Sequence, residues 1–440
     1  MKRKMILLPS ERMDNNKKPG RNENSLVRVA KTTRELTGFE GKVELYRDGG
    51  IEAIMEGSTI LDVFQAYKED IKKAAEKGVD PCDACFVTSP VYNHLAKGVN
   101  DKDQQIWISD KIEDIVLGAD PEFLLFDGNG DVVHAYNILA KEGSLGSDGA
   151  MAELRPFPAL TPEGLVDNIR KIFETQELVE PIEPYSWIPG CYFRDYNRDY
   201  PVGGHIHIGN PGRVQAMPEQ DRSRLFVVTN KILDEMVSVP FIKVDGTDKG
   251  KARRTGCMMG NYGWFGDWRQ SNGHFEFRTL SGLWMSHPKF ATLVIGTVNA
   301  VVSEIMAVTE NNGFDPDFIL PKKYQMNKVH YSTGSKLDCP ILWKPGFDEW
   351  DDIPLAKALG SVTPSETMVE HLNGSDEAKV TKEVLSETLA RFKKMSSYDR
   401  YSHYVDGFFE VLESCDPSDF EAECGCMRES WLGNKKFMAV

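Results

Sequence analysis

The chain has no surplus of positive charge. Its 440 residues carry 52 Lys and Arg against 67 Asp and Glu, a formal net charge of −15. Broad nucleic-acid binding needs a basic surface, so that class is disfavoured, while a local basic pocket stays open. Long apolar runs are also scarce. The start, MKRKMILLPSERMDNNKK, offers only Met5-Ile6-Leu7-Leu8, too short for a signal peptide, and no stretch reads as long enough to span a membrane. A cytoplasmic location is expected. The eight cysteines lack the spacing of a small disulfide framework, which suits reduced thiols. Cys82-Asp-Ala-Cys85 and Cys424-Gly-Cys426 could make four zinc ligands, but they are far apart and lack paired spacing, so free thiols are the simpler reading. There is no GxSxG elbow, no Walker A loop and no GxGxxG opening a helix after a strand. Fixed-period repeats and low-complexity tracts are missing too.

What is present is an ordinary globular composition, 41% hydrophobic and 27% charged. Residues 1–24 are polar and read as a flexible arm, and 25–112 as a mixed α/β region. Within the latter, LDVFQAYKEDIKKAAEKG predicts an amphipathic helix with Leu61, Phe64, Tyr67 and Ile71 at helical spacing and Gly78 as a stop. Residues 113–350 alternate strands and helices with hairpins dominating, for example a turn at Asp127-Gly-Asn-Gly130. This predicts an α+β fold with an antiparallel sheet rather than a doubly wound one. Residues 351–440 read as a helical, acidic C-terminal region, long enough for a small bundle.

Four segments carry charged or metal-binding side chains two residues apart. They are Asp120-Pro-Glu122, Glu153-Leu-Arg155, His205-Ile-His207 and Glu276-Phe-Arg278. On a strand, residues i and i+2 share a face, so Phe123, Leu154, Ile206, Phe275 and Phe277 would turn to a core on the other side. A face of unpaired buried charge is too costly to be a dry core, so it reads as the floor of a cleft for cations and anions.

Each motif also has a bland reading. Asp120 and Glu122 suit a hard divalent cation, or are two solvated acids. Pro121 between them suggests an edge strand or a bulge. In GGHIHIG the two glycines permit close approach, and the imidazoles are either ligands or a hydrogen-bonded core pair. Asp148 opens a flexible turn, and Glu153 with Arg155 is either a surface ion pair or a ligand beside an anion clamp. Arg253, Arg254, Arg269 and Arg278 lie in a glycine-rich stretch suited to wrapping an anionic ligand. Trp264, Phe265 and Trp268 are lid anchors or simply core.

The order D-x-E, E-x-R, G-G-H-x-H-x-G, arginines and F-E-F-R resembles the carboxylate–amine ligases of the glutamine synthetase / glutamate–cysteine ligase superfamily. More narrowly, GADPEF, ELRP, GGHIHIG and the YG…GD-aromatic-R…EFR run resemble the phage-encoded type-2 (phiEco32-like) carboxylate–amine ligases, over about 113–283. That resemblance implies a curved antiparallel sheet of glutamine synthetase-like catalytic type. It implies ATP and Mg²⁺ or Mn²⁺ as cofactors, and Glu122, His205 and Glu276 as metal ligands. Asp120, Asp148 and Glu153 would complete a second metal site or bind the amine. Arg278 with one or more of Arg253, Arg254 and Arg269 would hold phosphates, with His207 on the same cofactor side. Asp120 departs from the usual first glutamate and is a methylene shorter.

The reaction implied is amide formation through an acyl phosphate, on small-molecule or peptide carboxylates and amines, without nucleic acid or membrane and with a homo-oligomer possible. If the chain is phage-encoded, the compartment is the host cytoplasm. Two other readings stand beside it: a metal-dependent amide or ester hydrolase using His205 and His207, and a non-catalytic structural protein reusing the fold.

Overall fold

The computed structural model describes residues 115–195, 198–209, 214, 217–256, 262–263, 265–271, 274–321, 353–360, 380–414, 416–425, 427–433 and 436–437, together with three short N-terminal strands. Those strands are β1 (Lys4–Leu7), β2 (Lys42–Arg47) and β3 (Gly50–Ile51), with β1 parallel to β2 and β2 antiparallel to β3. The arm expected over 1–24 therefore contains a strand at 4–7. The amphipathic helix expected from Leu61, and Cys82 and Cys85, lie outside the described residues.

The site rests on an eight-stranded sheet. Its spine runs β12 (Trp268–Ser271), β13 (His274–Phe277), β11 (Gly204–Gly209), β4 (Val116–Phe126), β7 (Met151–Leu154) and β6 (Leu145–Asp148). Two further strands, β5 (Val132–Val133) and β8 (Ser186–Ile188), pair with the far end of β4, while β9 (Tyr192–Arg194) and β10 (Asp199–Pro201) form a separate antiparallel pair. Every pairing in this sheet is antiparallel. The β4–β5 hairpin turns as the sequence predicts, with Asp127 Oδ1 accepting from the backbone N–H of Asn129 (2.9 Å) and Asp131 (3.0 Å). One expectation is corrected. Pro121 lies neither on an edge nor at a bulge: β4 is a central strand, and Pro121 stands opposite Gly204 in regular register.

The register sorts side chains by face. Asp120 pairs with His205, His207 with Glu276, Glu276 with Arg269, and Glu122 with Glu153. Directly opposed residues point the same way, so these form one polar face. Leu117, Phe123, Ile206, Phe275 and Phe277 are fully buried on the other. Two helices cover that apolar face. Helix α1 (Pro162–Glu174) starts at Thr161, whose hydroxyl accepts from Gly164 N at 3.1 Å, and it places Phe173 against Phe123 and Trp187. Helix α2 (Glu219–Leu233) brings Phe226 onto Trp268 and Phe275. It continues through a π-helical turn, Asp234–Ser238, into α3 (Val239–Asp245).

The C-terminal helices share this core. Helix α4 (Pro288–Asn311) crosses α5 (Tyr398–Ser414) at two glycines. A Cβ on Gly296 would sit 2.2 Å from the Tyr404 ring, and one on Gly407 would sit 2.7 Å from Leu293. A final helix, α6 (Met427–Leu432), inserts Trp431. Its indole N–H donates to Met285 O at 2.7 Å and its ring meets Phe173 edge-on at 5.5 Å. Here a second correction enters. At 24 residues, α4 is long and apolar enough to cross a membrane, contrary to the sequence reading, but it is 78% buried inside the protein and serves as its core helix. Phe265 and Trp268 are core, while Trp264 lies outside the described residues.

Because Trp431 is fully buried and ties the C-terminal segment to α1, Trp431→Ala is expected to cost about 3–5 kcal/mol. Urea denaturation checks this, and a loss confined to the last helix, with the rest melting as in the wild type, would contradict it.

Candidate active site on the polar face

Each strand delivers its side chains to one floor. Asp120 Oδ1 accepts from His207 Nε2 at 2.8 Å. The other ring nitrogen of His207 lies 3.0 Å from His274 Nε2. Burial opposes ionisation of Asp120, but the facing imidazole of His207 outweighs it and holds the carboxyl well below its ordinary range. Burial likewise disfavours a charged His207, yet Asp120 raises it above its ordinary value. His274 is pushed down to about 3, by burial and then by the charge of His207. Both ring nitrogens of His207 are thus engaged, one by Asp120 and the other by His274.

Glu276 is wholly buried and is the partner of two guanidiniums. Arg269 donates from Nε at 2.5 Å and from a terminal nitrogen at 2.8 Å, and Arg278 donates to the same carboxylate. Burial opposes its ionisation, and Arg278 chiefly reverses this and holds it below the ordinary glutamate value. Arg278 also lies 3.6 Å from Asp267.

Glu122 is held from two sides. Its Oε2 accepts from Gly203 N at 2.6 Å and its Oε1 from the Tyr262 hydroxyl at 2.9 Å. Burial raises its pKa against these two donors. The Tyr262 hydroxyl is 3.0 Å from His205 Nε2. The Tyr262 ring lies between the guanidiniums of Arg253 and Arg278, at 5.4 and 5.6 Å.

Among the described residues, two groups of side chains have donor atoms close enough for a metal ion: Asp120, His205 and Glu276, and separately His207, His274 and Glu276, each within 4.8 Å. Chemistry separates them. In the second group the imidazoles are bonded to each other. In the first, His205 Nδ1 is buried without a hydrogen-bond partner, 3.2 Å from Asp120 Oδ1 and 3.7 Å from Glu276 Oε1. One aromatic nitrogen and two carboxylate oxygens converge, a mixed donor set of the kind that can hold a divalent cation.

Residues 117–328 match the family described as "Phage phiEco32-like COOH.NH2 ligase-type 2". This segment is similar to a carboxylate–amine ligase family. No curated protein matches the chain. Among solved structures, a bifunctional glutathione synthetase from Pasteurella multocida overlays with a TM-score of 0.35 at 11% identity, covering 73% of this chain and 50% of that one. The overlap thus spans half the length of that protein, and a likeness so distant carries no argument here.

The ligase motifs do not all converge equally. Asp120, His205, His207, Glu276, Arg269 and Arg278 meet around one point. Glu153, opposite Glu122, is ion-paired with Arg155. Asp148 is exposed at the end of β6. Two arginines expected to hold phosphate are instead committed to the scaffold. Arg253 is fully buried and donates to the carbonyls of Thr279 (2.6 Å) and Leu280 (2.8 Å). Arg254 is buried against Asp245 at 3.1 Å. Planar forks also suit backbone carbonyls, and in sequence the two uses look the same. Tyr262 and His274 were not singled out as site residues, although Tyr262 stands in the YG of the motif and His274 two residues before Glu276.

The charge pair has a pH signature. Asp120, depressed below its ordinary 3.8, adds stability above that pH which is lost as pH falls through its folded value. His207, raised above 6.5, adds stability fully present below that pH and lost as pH rises through its folded value. Asp120→Asn is therefore expected to be most destabilising between the two ordinary values, near about pH 5, and less so once pH has risen through the folded value of His207. Urea midpoints across pH measure it, and a pH-independent loss would contradict the pairing.

Proposed function

We propose that the chain is an ATP-dependent carbon–nitrogen ligase that forms an amide through an acyl phosphate. What carries this reading is the convergence, on one face, of a cation cradle (Asp120, His205, Glu276) with two guanidiniums (Arg269, Arg278), in a segment of carboxylate–amine ligase type. A carboxylate oxygen attacks the γ-phosphorus of ATP, the bond to the ADP oxygen breaks, and ADP leaves. The amine nitrogen then attacks the acyl carbon, phosphate leaves with the C–O bond's electrons, and the nitrogen gives up a proton.

No protein nucleophile is needed. The difficulty is bringing anionic reactants together, and neutralising charge on the transferring phosphoryl oxygens is where such a site gains rate. A bound divalent cation would supply part of that neutralisation. Arg269, which is partly exposed, and Arg278 are placed to supply the rest. Asp120 is engaged by His207 and Glu153 by Arg155, which leaves Asp148 as our candidate of the three to take the amine's proton.

The test is ADP release with Mg²⁺ or Mn²⁺ over a panel of amino acids, polyamines and peptides. Release is expected only when carboxylate and amine are both present, and Glu276→Ala is expected to lose at least about a hundredfold in rate. Amide or ester hydrolysis without ATP would overturn the ligase reading.

A further inference from the structure

Glu122 reads in sequence as a metal ligand, but its oxygens point elsewhere. One meets the Gly203 amide and the other the Tyr262 hydroxyl, which in turn meets His205 Nε2. A tyrosine hydroxyl has one proton. Given to Glu122, it leaves the Tyr262 oxygen as acceptor for an N–H on His205 Nε2. The neutral ring then carries its lone pair on Nδ1, the buried atom that faces Asp120 Oδ1 and Glu276 Oε1.

We infer that Glu122, Tyr262 and His205 form a relay that fixes the His205 tautomer, with Nε2 protonated and Nδ1 aimed into the cation cradle. Glu122 and Tyr262 are positioning residues in it, and His205 is the ligand. The inference rests on the proposed cradle of Asp120, His205 and Glu276. It follows the general rule that a ligating imidazole is oriented by what its other nitrogen donates to.

The GG and YG of the motifs find their reason here. A Cβ on Gly203 would lie 2.5 Å from His205 Nε2 and 2.7 Å from the Tyr262 hydroxyl, so any other residue would push the relay apart. Gly203 also supplies the amide that holds the second oxygen of Glu122. Gly263, at φ +69°, takes a backbone conformation that favours glycine, and a Cβ there would lie 2.2 Å from the Arg253 guanidinium beneath Tyr262. Arg253, braced on Thr279 and Leu280, is thus the shelf on which the tyrosine ring rests.

Two measurements on the full chain test the relay. The first is ¹⁵N NMR of the histidines in the wild type, with His205 assigned by His205→Gln. The expected result is a neutral ring protonated at Nε2, whereas protonation at Nδ1 overturns the relay. The second is Mn²⁺ binding followed by EPR. Tyr262→Phe keeps the ring between its two guanidiniums and removes only the hydroxyl, and it is expected to weaken Mn²⁺ about ten- to a hundredfold. Glu122→Gln is expected to cost less than Asp120→Asn. Unchanged Mn²⁺ affinity in Tyr262→Phe, with Glu122→Gln as damaging as Asp120→Asn, would make Glu122 a direct ligand and end the proposal. Absence of Mn²⁺ binding in the wild type would count against the cradle, while the NMR result still decides the tautomer.

Discussion

The rest of the structure depends on one buried carboxylate. Glu276 lies wholly out of water on a strand paired on both sides, where an isolated charge would be prohibitively costly. Arg269 and Arg278 remove that cost by direct bonding, and His205 Nδ1 lies 3.7 Å away. Because β13 is paired on both sides, Glu276 cannot move without the strands, and its partners are fixed with it. A charged floor of this sort needs a rigid apolar underside, which Phe275, Phe277 and Ile206 supply against α2.

The helices then serve the floor. The π-helical turn in α2 exposes Asp234 to the Gly266 amide (2.6 Å), tying the loop that carries Tyr262 to the core. Extra residues in a helical turn often mark functional sites, and here the turn sits beneath the segment that sets the relay. The C-terminal helices add weight on the far side, packed so closely at Gly296 and Gly407 that they share one core with the sheet.

The two faces were legible in sequence because strand periodicity is strict: once D-x-E, H-x-H and E-x-R are strands, their co-facing follows. The antiparallel α+β class followed from hairpins. What sequence could not separate was alike residues in unlike roles. Arg253 and Arg269 sit in the same glycine-rich stretch, yet one braces carbonyls and the other meets Glu276. Pro121 suggested an edge, but it is tolerated centrally opposite Gly204. Glu122 looked like a ligand because the hydroxyl that claims it comes from Tyr262, 140 residues on. Such contacts are made by tertiary folding and leave no local pattern.

The central claim is that a substrate carboxylate attacks ATP on this face. The most direct test takes whichever carboxylate supports ADP release, labels its oxygens with ¹⁸O, and follows the label by mass spectrometry. Transfer of one ¹⁸O into inorganic phosphate is the result expected of an acyl phosphate. Amide product accompanied by unlabelled phosphate would contradict it.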